Sequence, residues 1–144
     1  MRVFDVMSKA VETVKPNVAA SEAKTRMRQK NIHHLVVMSG SQLKGVLSER
    51  DLGGTKLPKA LGTSTVGDLM TSPVVTVTTR TPLRRAASLM KGRSVGSLVV
   101  TSANGKVAGI VTVSDLLALL ARVPEHRSNR DLRRAKGEQE WNEE

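Results

Sequence analysis

A chain of 144 residues is long enough for one domain with a full core, or for two small halves that share one. It holds no cysteine, which excludes a disulfide framework, a thiolate nucleophile and any zinc site built on Cys. The formal net charge is +10, yet with one Phe, one Trp and no Tyr the chain cannot build an aromatic platform for stacking nucleic-acid bases.

Met1 to Met7 contains no apolar stretch of signal-peptide length, and the longest apolar run, Leu116 to Ala121, is too short to span a bilayer. A cytoplasmic protein without a membrane partner is expected. In chain order, the pattern predicts a helix over Ala19 to Lys30, then a hairpin of Leu35 to Met38 and Leu43 to Leu47 around Ser39-Gly40-Ser41. A Gly-, Pro- and Thr-rich stretch follows from Gly53 to Thr65. Val74 to Val77 reads as a short β-branched strand. Thr81-Pro82 reads as an N-cap followed by proline at the first helical position. Leu83, Ala86, Ala87 and Met90 then share one helical face, and Gly92 marks the expected stop. Leu98 to Thr101 and Lys106 to Thr112 form a second hairpin about Asn104-Gly105, and Ser114 is expected to cap a helix through Leu120.

The chain is written twice. Val6-Met7-Ser8 recurs as Leu69-Met70-Thr71, and His34-Leu35-Val36-Val37 as Ser97-Leu98-Val99-Val100, each 63 residues on. Gly45 to Leu52 recurs as Gly109 to Leu116 at an offset of 64, the extra residue falling in the polar hairpin turn. The expected architecture is mixed α+β: two tandem β-α-β-β-α repeats, residues 1–57 and 58–122. One repeat alone would leave a sheet face uncovered, so the two are expected to pack sheet to sheet with pseudo-twofold symmetry, leaving two equivalent clefts. Residues 123–144 carry five basic and six acidic groups and few aliphatics, so this tail is expected to stay solvated, with Trp141 as a candidate anchor for a partner or a dimer. The positive charge therefore belongs to the body, which should attract phosphates and other polyanions.

Gly45, Ser48 and Asp51 match Gly109, Thr112 and Asp115 in a Gly-apolar-apolar-Ser/Thr-x-x-Asp pattern that runs from strand into helix. The hydroxyl and free helix N–H groups can bind a phosphate or sugar oxygen, and the carboxylate can accept both hydroxyls of a ribose. The plain alternative is helix capping. Its recurrence within a repeat of this grammar favours the ligand reading. The β-α-β-β-α repeat, its Asp5-Val6-Met7-Ser8 and Asp68-Leu69-Met70-Thr71 openings and Gly45-Val-Leu-Ser-Glu-Arg-Asp51 together resemble a CBS-domain pair, or Bateman module, over residues 1 to about 121. Proline is common in that family where Val36 and Val99 stand here.

The resemblance implies a non-catalytic regulatory module. It would bind an adenosine-containing ligand (AMP, ADP, ATP or S-adenosylmethionine, sometimes NAD or a cyclic dinucleotide), pair as a homodimer and signal occupancy to a protein effector. It implies one cleft in which Asp51 holds ribose and Ser48 a phosphate or ribose oxygen, with Met70, Val74 and the backbone of Val95, Gly96 and Ser97 around the base. In the other, Asp115 and Thr112 take those roles, with Met7, Val11 and the backbone of Ile32, His33 and His34 around the base. Arg50 is a candidate phosphate clamp. Met7 and Met70 also suit a core, where methionine fills gaps. Adjacent His33 and His34 near a strand point to opposite faces and do not suggest a shared metal ion. No Ser-His-acid or paired-carboxylate spacing points to catalysis. The alternatives are a nucleic-acid or polyanion binder using the basic surface, and a dimerisation module with empty clefts.

Overall fold

The computed structural model describes residues 1–53 and 63–122, so the expectations for most of the Gly53 to Thr65 stretch and for the tail, Trp141 included, lie outside the described residues. A 3-10 turn at Val3–Asp5 precedes β1 (Thr13–Val14), α1 (Ala20–Lys30), β2 (His34–Ser39) and β3 (Gln42–Ser48). The second half runs α2 (Val66–Leu69), β4 (Thr76–Thr78), α3 (Leu83–Arg93), β5 (Ser97–Thr101), β6 (Val107–Thr112) and α4 (Val113–Arg122). Each half builds one three-stranded sheet, β1-β2-β3 and β4-β5-β6, with the first pair parallel and the second antiparallel. Both hairpins carry a register shift at matching places, Val37/Met38 and Val100/Thr101.

The sheets meet through buried Val36, Val46 and Val99, with Ile110 packed against them, as expected for halves that cover each other's exposed face. Burying each such side chain contributes about 1.5–3 kcal/mol relative to leaving it in water. Two further cores lie between each sheet and its helices. Each recruits the opening segment of the other repeat. Val66, Leu69 and Met70 pack with Val14, Leu35 and Leu47, whereas Val3 and Met7 pack with Val77, Leu98 and Val111. The exchange is tied by backbone bonds, Val66 N–H to Val18 O at 2.8 Å and Val3 N–H to Thr81 O at 2.9 Å.

Local chemistry corrects four boundary expectations. Strand β4 begins at Thr76, two residues later than read from sequence. Thr81 does not cap α3: its Oγ1 accepts from Thr78 N–H at 3.0 Å, and Pro82 occupies the cap position. Gly92 lies inside α3, which ends at Ser94 with φ of 52°. Asn31 ends α1 in the same left-handed conformation, and Ile32 and Val95 N–H reach back to Met27 and Met90 O, closing both helices alike. At α4 the reciprocal cap belongs to Thr112 and Asp115 rather than to Ser114.

Candidate functional site

Two clefts open where the repeats meet. The larger, about 390 Å³, lies between the end of β3, the segment before β4 and the turn between α3 and β5. Ser48, Arg50, Asp51, Val74, Val95, Gly96 and Ser97 all line it, together with His34. The smaller, about 170 Å³, repeats this arrangement with the start of α4, the segment before β1 and the turn between α1 and β2. Thr112, Asp115, Val11, Ile32, His33 and His34 line that one. The left-handed ends of α1 and α3 aim the Ile32–His34 and Val95–Ser97 segments at the clefts.

The floor of each cleft is a capping pair. Asp51 Oδ2 accepts from Ser48 N–H at 2.8 Å while Asp51 N–H donates to Ser48 Oγ at 3.1 Å. Asp115 Oδ2 likewise accepts from Thr112 N–H at 2.8 Å and from Thr112 Oγ1 at 3.1 Å. The capping geometry weighed from sequence is therefore present in both copies. It commits one oxygen of each carboxylate and holds both carboxylates half-buried at the cleft floor. His34, half-buried as well, lines both clefts. Burial is the main cause that lowers its pKa from 6.5, and His33 adds to it, outweighing the pull of Asp51, Asp115 and Glu49 in the other direction. His33 turns outward, its Nδ1 2.6 Å from Glu49 Oε2.

Met7 and Met70 are the site candidates that line neither cleft. Both join cores, and each sulfur sits over the glycine of the opposite motif. A Cβ on Gly45 would come within 2.6 Å of Met70 Sδ, and one on Gly109 within 2.8 Å of Met7 Sδ. The twice-written glycine thus has a packing reason of its own. Sequence reasoning missed Thr71 and Ser8 as lining residues, although their recurrence after methionine was a signal. Thr71 Oγ1 donates to Asp51 Oδ1 at 3.3 Å. The valines at the family's proline positions lie within strands. Val36 N–H donates to Glu12 O at 3.0 Å and Val99 N–H to Val75 O at 3.3 Å, bonds that proline cannot make.

Among the described residues, no helix is long and apolar enough to cross a membrane. Comparison with known proteins agrees with this architecture. A CBS-domain protein of Dictyostelium discoideum is 33% identical over 135 residues, covering 85% of this chain and 93% of that one. Of some longer relatives bearing enzyme names, the chain spans only 24%. The solved CBS domain pair of protein MJ0100, in complex with 5′-methylthioadenosine and S-adenosyl-L-methionine, superposes with a TM-score of 0.74 at 27% identity, covering 84% of this chain and 96% of that one. CBSX2 in complex with AMP superposes at 0.71 and 29% identity, covering 85% and 97%. The family model for the CBS domain matches twice, at residues 3–52 and 66–122, and the chain belongs to the CBS-domain family.

Proposed function

We propose that this protein is a non-catalytic regulatory module that binds an adenosine-containing ligand in its two clefts and reports occupancy to a protein effector. The observation that carries the reading is the paired construction of the clefts. Each sets a Ser/Thr–Asp pair from one repeat opposite a backbone segment from the other. Asp51 and Asp115 would accept ribose hydroxyls, Ser48 and Thr112 would meet a phosphate or ribose oxygen, and Arg50 would clamp phosphate. Val74 with Val95–Ser97, and Val11 with Ile32–His34, would frame the base. Met70 and Met7 would support these walls from the cores. The relatives solved with AMP and with S-adenosyl-L-methionine support an adenosine ligand.

Exposed Leu117 and Leu120, at 60% and 66%, form an apolar outer stripe on α4 that suits pairing of two copies through their helices. Homodimerisation would let a change in cleft occupancy alter the geometry seen by an effector. A second reading, polyanion or nucleic-acid binding, draws on α3, where Arg84, Arg85, Lys91 and Arg93 are exposed and enter no ion pair among the described residues.

A thermal-unfolding panel with AMP, ADP, ATP, S-adenosylmethionine and pyrophosphate separates the two readings. A ligand at a hundred times its Kd adds about 2.7 kcal/mol to stability. A shift with an adenosine compound that Asp51→Asn or Asp115→Asn removes supports the sensor. Equal shifts with pyrophosphate that fade in salt overturn it in favour of charge alone.

A further inference from the structure

Most of the residues lining the two clefts are repeat counterparts, and two of the positions that differ exchange a full charge. Arg50, which lines only the larger cleft, has Ser114 as its repeat counterpart, and Ser114 lines both. Conversely Glu12, in the smaller cleft, stands where the larger cleft has Val75. The larger cleft therefore offers one guanidinium to balance its single carboxylate, Asp51. The smaller offers Glu12 and Asp115 and no Lys or Arg. Lys30 meets Glu12 Oε1 at 3.0 Å from the α1 side but does not line the cleft. His33 is engaged with Glu49, and the half-buried imidazole of His34 holds its proton less readily than a free histidine does. Volume runs the same way, about 390 Å³ against about 170 Å³.

We infer that the clefts are specialised by charge: the Arg50 cleft takes a phosphorylated adenosine compound, and the Glu12–Asp115 cleft takes an adenosine compound without a phosphate, neutral or cationic at its 5′ end. The physical basis is short. A phosphate in the larger cleft meets a fork of N–H donors that pairs bidentately with its oxygens. In the smaller cleft the same phosphate meets two carboxylates and no lining Lys or Arg; Lys30 offsets Glu12 from the α1 side, but Asp115 has no cationic partner among the described residues, so the phosphate is disfavoured there. A nucleoside or a sulfonium adds no negative charge and keeps the ribose bond to Asp115. The module would then read two signals, one per cleft, rather than one signal twice. This rests on the adenosine reading above and names the ligand class for each site.

AMP and adenosine differ only in the phosphate, so isothermal titration with each probe on the full chain is the test. AMP is expected to bind once per chain and to weaken about 10- to 100-fold in Arg50→Ser, the substitution that copies the other repeat. Adenosine is expected to bind a chain already saturated with AMP, and Asp115→Asn should remove that second isotherm while Asp51→Asn removes the AMP isotherm. Asparagine caps a helix as well as aspartate, so neither substitution should unfold the chain. Ser114→Arg should admit a second AMP. The inference is overturned if two AMP molecules bind the unmodified chain with similar affinity, if Arg50→Ser leaves AMP affinity unchanged, or if adenosine and AMP compete for one site. Should neither probe bind, the adenosine reading of the clefts falls, and the division of labour with it.

Discussion

The close approach of methionine and backbone to the motif glycines leads to a quantitative prediction, tested most sharply at Gly109. A methyl group there would lie 2.7 Å from Ser8 O and 2.8 Å from Met7 Sδ. The thioether can swing aside, because methionine has three rotatable bonds. The carbonyl cannot, because Ser8 and Ile110 are locked by reciprocal backbone bonds of 2.9 and 3.0 Å. Gly109→Ala must therefore stretch that bridge or shift the β6 backbone, which places it with overpacked core substitutions at about 1–3 kcal/mol. For a chain of this size that lowers Tm by about 4–10 °C. Gly92 is the internal control: it lies inside α3 with nothing near its Cβ position, so Gly92→Ala should raise stability by about 0.5–1 kcal/mol. Urea denaturation followed by far-UV circular dichroism measures both. If Gly109→Ala falls within about 0.5 kcal/mol of the parent, or if the two glycines respond alike, the packing account of the motif glycine is wrong.

Three further outcomes are expected. Asp51→Ala breaks the reciprocal cap with Ser48 and should cost about 1 kcal/mol by urea denaturation, while Asp51→Asn stays near the parent because asparagine also caps. Val99→Ala, at the contact between the sheets, should cost about 2–3 kcal/mol and leave one unfolding transition rather than two, since the halves share that core. His34 titrates below 6.5 in the folded chain, so the unfolded chain takes up its proton first as pH falls. Stability should decline as pH drops below about 6.5 and down to the folded pKa of His34. His34→Ser, which copies Ser97, should remove that part of the decline in a pH series of Tm values.

The repeat made most of the fold legible, because the same helix-then-hairpin pattern recurring at a nearly constant offset fixes element order even where single segments are ambiguous. What stayed hidden depends on contacts distant in sequence. Ser94 ends α3 in a left-handed conformation that glycine usually supplies, and only the Val95 to Met90 bond shows why the helix closes there instead of at Gly92. The exchange of opening segments was invisible for the same reason. Nothing in Val3 or Val66 says which sheet each will cover. The methionines were drawn to the clefts by their place in the motif, but their side chains fill the space that Gly45 and Gly109 leave. The Ser/Thr–Asp pairs were legible from the repeated motif and the opposing backbone segments from the resemblance to the CBS family, whereas Thr71 and Ser8 reach the clefts through backbone bridges to β3 and β6, hinted at only by their recurrence after methionine.

Capping and ligand binding are not rival accounts of the Ser/Thr–Asp pair, and a third example within the chain shows what separates them. Thr65 and Asp68 make the same reciprocal box at the start of α2, with Thr65 N–H donating to Asp68 Oδ2 at 2.9 Å. Those bonds lower the pKa of Asp68 below 3.8, yet the pair is exposed at Asp68 and lines neither cleft. A capping box alone therefore makes a helix start and nothing more. At Asp51 and Asp115 the box commits Oδ2 and fixes the carboxylate's direction, while a backbone segment from the other repeat closes the space in front of it. Oδ1 of Asp115 accepts no hydrogen bond among the described residues, and Oδ1 of Asp51 is met only by the Thr71 hydroxyl at 3.3 Å. On the proposed reading, the cap would preorganise the acceptor for a ribose, and the second repeat supplies the wall that turns a capped helix into a cleft.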